Sequence, residues 1–225
     1  MHRIFLIFFF ILGSCGRPMT SEEVVFIQTL QGPGFDPGPV RLAGDLSLAA
    51  PRTIPARPRL TCQQRIYPPP EGPTIRVRTQ AMTIFQSVHF GAGVYAEDFV
   101  AGWPDRLPLP YAMLLAHEMV HVWQWQNRAL TGYHPLKAMF EHVRSADPYL
   151  FDTDTETRFL EFGYEQQGSI MEEYVCCRAL APGAARTQRL HELLSQAFEP
   201  QALETPLARE VLLPWREVQI EGICD

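Results

Sequence analysis

The sequence predicts an α+β fold: a small mixed β-sheet packed on one buried helix, followed by a mainly helical C-terminal half. Three observations predict it. Residues 111–127 are apolar on nearly every side, as a core helix is. Residues 74–78 and 81–90, ahead of that helix, are rich in β-branched and aromatic residues and read as strands. Residues 162–181 and 184–198, behind it, carry helical spacing.

The chain has 225 residues, 46% of them hydrophobic, which suits one domain with a sizeable core. Residues 1–15 are expected to be a signal peptide. His2 and Arg3 precede an apolar run from Ile4 to Leu12, too short to span a bilayer. Leu12-Gly13-Ser14-Cys15 then resembles the bacterial lipobox, whose cysteine is lipidated and becomes the new N-terminus. The alternative is an ordinary export signal with a coincidental cysteine. Either places the mature protein outside the cytoplasm. Gly16, rather than aspartate, follows the cysteine. By resemblance to lipoprotein sorting in Gram-negative bacteria, this implies an outer-membrane lipoprotein facing the periplasm, held to the membrane through lipid on Cys15.

Residues 16–73 read as a tether, one strand and a Pro-rich irregular segment. The tether is 16–22. Residues 23–30, Glu-Val-Val-Phe-Ile-Gln-Thr-Leu, have strand composition. Residues 31–73 carry half of the chain's 20 prolines, which leaves little room for regular helix.

Residues 74–225 form the main domain. Strands are expected at 74–78, at 81–90 and briefly at Val94-Tyr95. Pro108 and Pro110 lead into the apolar helix, proline being tolerated in a first turn. Residues 132–157 read as loop with one helix near 136–143. Asp152-Thr153-Asp154 resembles the start of a calcium loop but lacks the downstream glycine and glutamate, so it reads as a turn. Pro182-Gly183 ends the 162–181 helix. In the next, Leu190, Leu193, Leu194 and Ala197 share one face, which leaves Arg186, Arg189 and His191 toward solvent. A short helix or strand is expected within 210–220.

The apolar helix contains His117-Glu118-Met119-Val120-His121, the pattern H-E-x-x-H. Residues i and i+4 share one helix face, so both imidazoles reach one ion, with Glu118 beside them. The competing reading is a pair of hydrogen-bonded core histidines. Two histidines and a glutamate in so apolar a run need partners, and a metal supplies them. A catalytic Zn²⁺ takes three protein ligands and keeps a fourth position open. His134 and His142 are possible third ligands, but residues 164–170 are the better segment. They open a helix with polar residues where it should be half buried. Gly168, one turn after Glu165, lets two helices approach closely. Glu165 is therefore the expected third ligand, against a plain solvent-exposed helix-start glutamate. Glu172 is the expected acceptor for a ligating histidine's second N–H.

Cys62, Cys176, Cys177 and Cys224 remain besides Cys15. An oxidising compartment permits disulfides. The neighbours Cys176 and Cys177 would strain the backbone if paired, so bridges would run from them to Cys62 and Cys224. Four buried free thiols are the alternative.

A His-Glu-x-x-His helix with a glutamate ligand on a later helix is the gluzincin arrangement. Residues 116–126 with Tyr164-Glu165-Gln166-Gln167, and Ala96-Glu97-Asp98-Phe99 upstream, resemble a family of bacterial zincin-like proteins. Some of these are predicted metallopeptidases encoded near contractile injection systems. The resemblance spans about residues 80–178 and implies a zinc site and a zincin-like, peptidase-type fold. It departs from the thermolysin-type pattern at Ser169, where that pattern has an aspartate.

The expected function is that of a zinc metallopeptidase acting on a peptide or protein substrate. Zinc would activate a water, and Glu118 would be the general base. Tyr164, Tyr174, Tyr133 and His134 are candidates to stabilise the oxyanion. An edge strand within 83–90 would align an extended peptide, as is common in this fold class. The alternatives are a non-catalytic zinc-bound envelope module and a zinc hydrolase of non-peptide bonds. A net charge of −6 without a basic stripe argues against a nucleic-acid partner.

Overall fold

The computed structural model describes residues 16–46, 51–145, 147–152 and 157–225. The expected signal peptide with Cys15, and most of Asp152-Thr153-Asp154, lie outside them. In chain order the elements are α1 (Ser21–Gln31), β1 (Arg41–Ala43), β2 (Arg52–Pro55), α2 (Cys62–Arg65), β3 (Thr74–Val77), β4 (Ala81–Ile84) and β5 (Ser87–Phe90). There follow β6 (Arg106–Pro108), α3 (Leu109–Gln126), α4 (Arg128–Thr131), α5 (Pro135–Arg144), α6 (Tyr164–Leu180), α7 (Ala185–Leu194) and β7 (Glu210–Leu212). The class is mixed α+β. The largest sheet has the order β1-β5-β4, with β1 parallel and β4 antiparallel to β5. β2 pairs with β3 antiparallel, and β6 with β7 parallel.

The strand expected over residues 23–30 is a helix, α1. Its four β-branched residues suggested a strand, but the capping chemistry wins. Thr20 Oγ1 accepts from Glu23 N at 3.1 Å, and Glu23 Oε2 accepts from Thr20 N at 2.8 Å. Glu23, Phe26, Ile27 and Leu30 are buried, at helical spacing. Nor is 16–22 a free tether. Arg17 forms a two-pronged ion pair with Glu23 at 2.7 and 2.8 Å, and the same carboxylate accepts from Phe99 N at 2.9 Å. Glu23 thus ties the first described residues, α1 and the Ala96–Phe99 segment together. Glu23→Ala leaves a part-buried guanidinium and the buried Phe99 amide without their acceptor and is expected to cost about 3 kcal/mol in urea unfolding. A loss below about 1 kcal/mol would show that the network is dispensable.

Residues 81–90 make two strands, not one. Phe85 adopts a left-handed backbone, φ 59°, in the turn between β4 and β5, and its ring packs on Trp125 at 4.5 Å between centroids. β4 therefore becomes a sheet edge. Val94-Tyr95 lies at a turn rather than in a third strand. The Pro-rich segment holds β1, β2 and the one-turn α2, so it is more regular than its prolines suggest.

The core centres on α3 packed against α6. Leu115, Ala116, Met119 and Val120 of α3 are fully buried, as are Ile170, Met171, Tyr174 and Val175 of α6. Two disulfides fix other segments to α6: Cys62–Cys176 and Cys177–Cys224. Their sequence separations are 114 and 47 residues. Loops of such length correspond to about 4–5 kcal/mol each in the chain-entropy view. The expectation that Arg186 and His191 point to solvent is corrected. Arg186 Nη1 donates to Leu60 O at 2.8 Å and pairs with the buried Glu173 at 3.2 Å, while His191 Nδ1 lies 2.7 Å from the Tyr174 hydroxyl.

Helix α5 is turned polar side inward. Glu141 accepts from the first amides of α6, Tyr164 N at 3.0 Å and Glu165 N at 3.1 Å. A carboxylate at a helix N-terminus satisfies orphan donors and complements the dipole. Leu136, Met139, Phe140 and Val143 consequently face solvent.

Candidate metal centre

Helix α3 places His117 and His121 one turn apart, and the first turn of α6 places Glu165 across from them. All three are buried, with exposures of 5%, 4% and 8%. Their atoms form a nearly equilateral triangle. His117 Nε2 and His121 Nε2 lie 3.2 Å apart, and Glu165 Oε2 lies 3.4 Å from the first and 3.5 Å from the second. Two donors bound to zinc at about 2.0–2.1 Å and a tetrahedral angle stand roughly 3.3–3.4 Å apart. The donor set and its spacing therefore fit a tetrahedral metal ion with one position open. Cys62, Cys177 and Cys224 also cluster, but their sulfurs are taken up in disulfides.

The surroundings orient these side chains. Gln124 is fully buried, and its amide nitrogen donates to Tyr164 O at 3.2 Å and Gln167 Oε1 at 3.0 Å. Its oxygen is thereby left to accept from His121 Nδ1 at 2.9 Å. That fixes the tautomer, and the Nε2 lone pair of His121 faces the site. His117 Nδ1 lies 3.5 Å from Glu172 Oε2, an ion-pair distance longer than a hydrogen bond, and has no closer partner. Glu172 lies about one turn beyond Ser169 on α6. Glu165 Oε1, the oxygen turned away from the triangle, meets His142 Nε2 at 3.2 Å.

Glu118 sits beside the triangle. Its Oε2 accepts from the Thr83 hydroxyl of β4 at 2.6 Å, and both residues are buried. Gly168 faces His117: a Cβ there would lie 2.6 Å from Nε2 and 2.7 Å from Cε1 of that imidazole.

Charge couples these groups. Burial works against a charged imidazole, yet Glu172 and Glu165 raise His117 well above its ordinary pKa, and Glu165 raises His121. Burial opposes ionisation of Glu165 too, but His121, His117 and His142 hold it far below the usual carboxylate range. Burial lifts Glu118 above the ordinary glutamate value, and the two histidines and the Thr83 hydrogen bond only partly offset that. Two imidazoles drawn to one carboxylate in a dry pocket form a charge set into which a divalent cation fits.

The site opens on a cleft of about 470 Å³, floored by His117 and Glu118 and walled by the β2–β3 hairpin, Tyr67 and Tyr149. The Pro-rich segment therefore forms one side of the cleft. It is latched to α6 by Cys62–Cys176 and by Glu173, which accepts from Cys62 N at 2.9 Å and Gln63 N at 3.1 Å.

Of the expected oxyanion donors, Tyr133 reaches the site and stacks on His121 at 5.9 Å. Tyr174 is directed to His191, the Tyr164 hydroxyl donates to Thr131 O, and His134 caps α5. Tyr149, absent from the expected set, lies 6.0 Å from His117 and lines the cleft. Burial raises both Tyr133 and Tyr149 far above an ordinary phenol, so each hydroxyl keeps its proton. His134 and His142 are not part of the ligand triangle. No periodicity marked Thr83, Gln124 or Tyr149; the one available signal was that Gln124 is polar within an apolar helix.

No family model and no curated protein matches this chain. Among solved structures it is similar to the effector domain of Pseudomonas aeruginosa VgrG2b, with a TM-score of 0.53 and 20% identity. The match covers 84% of this chain and 89% of that one. At this identity the likeness is one of fold.

Proposed function

We propose that this protein is a zinc-dependent peptidase of zincin-like fold, exported and held at the bacterial envelope by lipid on Cys15. One observation carries the enzymatic reading. Three buried ligands leave an open position beside Glu118, on the floor of a cleft. A structural zinc site is closed by four protein ligands and has no use for a neighbouring base. Zinc held by His117, His121 and Glu165 would act as a Lewis acid and lower the pKa of a water toward neutrality. Glu118, raised toward the working pH by burial, is placed to accept a proton and pass it to the leaving amine. Thr83 holds that carboxylate in position, and Tyr149 offers a protonated hydroxyl to a developing oxyanion. The lipobox sequence and the two disulfides support the envelope assignment. Among the described residues no helix is long and apolar enough to cross a membrane.

The test joins metal analysis to a peptide-library digest. Wild type is expected to carry about one zinc per chain and to cleave until chelated. Glu165→Ala is expected to lose zinc affinity by at least tenfold. Full zinc affinity in Glu165→Ala would remove it from the ligand set. A zinc-loaded wild type that cleaves nothing would sink the peptidase reading. Mass spectrometry of the mature N-terminus, wild type against Cys15→Ala, decides the lipid separately.

A further inference from the structure

The cleft is positively charged on a chain whose net charge is −6. Four arginines line it, Arg52, Arg57, Arg59 and Arg78, against two carboxylates, Glu118 and Glu172. Both carboxylates already serve the metal centre. Two of the arginines are also engaged. Arg57 pairs with Asp147 at 2.5 Å, and Arg59 donates to the carbonyls of Gln64, Arg65 and Tyr67. Arg52 and Arg78 have no acidic partner among the described residues.

Both line the cleft, and both belong to the same end of the β2–β3 pair. Arg52 of β2 stands opposite Val77 of β3, and Arg78 follows Val77 directly. Both therefore lie at one end of the hairpin. Directly paired residues share a sheet face, and so do residues two apart. Arg52, Ile54, Ile75 and Val77 thus present one face, and all four line the cleft. That wall is aliphatic along its length and cationic at one end.

We propose that Arg52 and Arg78 form a carboxylate-binding subsite, which selects peptides with a carboxylate next to an aliphatic residue near the scissile bond. This rests on the peptidase reading. Two sources supply such a carboxylate, an acidic side chain and a free C-terminus. Guanidinium groups pair well with either.

Binding to the full-length, zinc-loaded Glu118→Gln protein separates recognition from hydrolysis. The probes are fluorescent peptides of one aliphatic sequence. One carries an internal Glu with an amidated end, one Gln with an amidated end, one Gln with a free carboxylate, and one Lys with an amidated end. At low salt at least one carboxylate peptide is expected to bind about tenfold tighter than the amidated Gln peptide, and the Lys peptide weakest. Whichever carboxylate peptide gains identifies the source. Combining Arg52→Gln with Arg78→Gln is expected to erase the preference, and the two charge reversals to Glu to favour the Lys peptide. Both arginines are exposed, so these variants should keep the wild-type melting temperature, and Arg52→Lys with Arg78→Lys should retain part of the preference. Equal binding of all four peptides overturns the subsite, and so does a preference that survives the double Gln variant. Hydrolysis by wild type is read in parallel. No cleavage with the preference intact counts against the peptidase reading and for the subsite.

Discussion

Glu118→Gln is expected to bind zinc with wild-type affinity and to cleave about 10²–10⁴-fold more slowly. The structure separates these two properties. The triangle of possible ligand atoms is made by His117, His121 and Glu165, and Glu118 is not one of its corners. Glutamine has nearly the shape of glutamate, and its amide oxygen can still accept from the Thr83 hydroxyl, now 2.6 Å from Oε2. It cannot accept a proton. The loss should fall on kcat with little change in KM, as for a group that acts in the transition state. Zinc stoichiometry, a chelator titration and steady-state kinetics check it. Lost zinc would make Glu118 a ligand; retained cleavage would assign proton transfer to another group.

The parts of the fold legible in advance were those where one physical signal dominated. An apolar run as long as α3 can only be a core helix, and its histidines at i and i+4 could only share a face. That Glu165 meets the two histidines was legible because α6 opens with polar residues where burial was due, and because Gly168 lies one turn on. The failures have the opposite character. In α1 two signals conflicted, β-branched composition against the Thr20–Glu23 capping box, and the box prevailed because Arg17 and Phe99 N also converge on Glu23. The break between β4 and β5 depends on Phe85 resting on Trp125, a contact no window of ten residues contains.

The same division runs through the site. The three residues that could hold a metal lie on two helices and follow from helical geometry. Its supports come from distant segments: Thr83 is 35 residues from Glu118, and Gln167 is 43 from Gln124. Tyr149 sits in a loop without periodicity. Glu172 was expected as an acceptor on grounds of chemistry, and its 3.5 Å approach to His117 Nδ1 depends on how closely α3 and α6 pack.

That close packing makes Gly168 a sensitive position. Gly168→Ala is expected to lower zinc affinity by about 10–100-fold or more while the metal-free protein stays folded. The added methyl would lie 2.6–2.8 Å from three atoms of the His117 ring, closer than carbon tolerates. Retreat of the ring would change its 3.5 Å approach to Glu172 or push it into the cleft that it floors. Either the imidazole turns or α6 moves outward, and both widen a triangle whose sides now match zinc. Stability should change little by comparison. Alanine gains about 1 kcal/mol of helix propensity over glycine, against about 1–3 kcal/mol for overpacking. Gly183→Ala, where a new Cβ meets nothing within 4 Å, is the matched control and should bind zinc normally. Competition titration with a chromophoric chelator, beside thermal melts of the metal-free proteins, reads both quantities. Wild-type affinity in Gly168→Ala would mean that His117 does not bind through Nε2 in the position the structure gives it. Unfolding of the metal-free variant would show instead that the helix pair, rather than the metal geometry, is what the glycine protects.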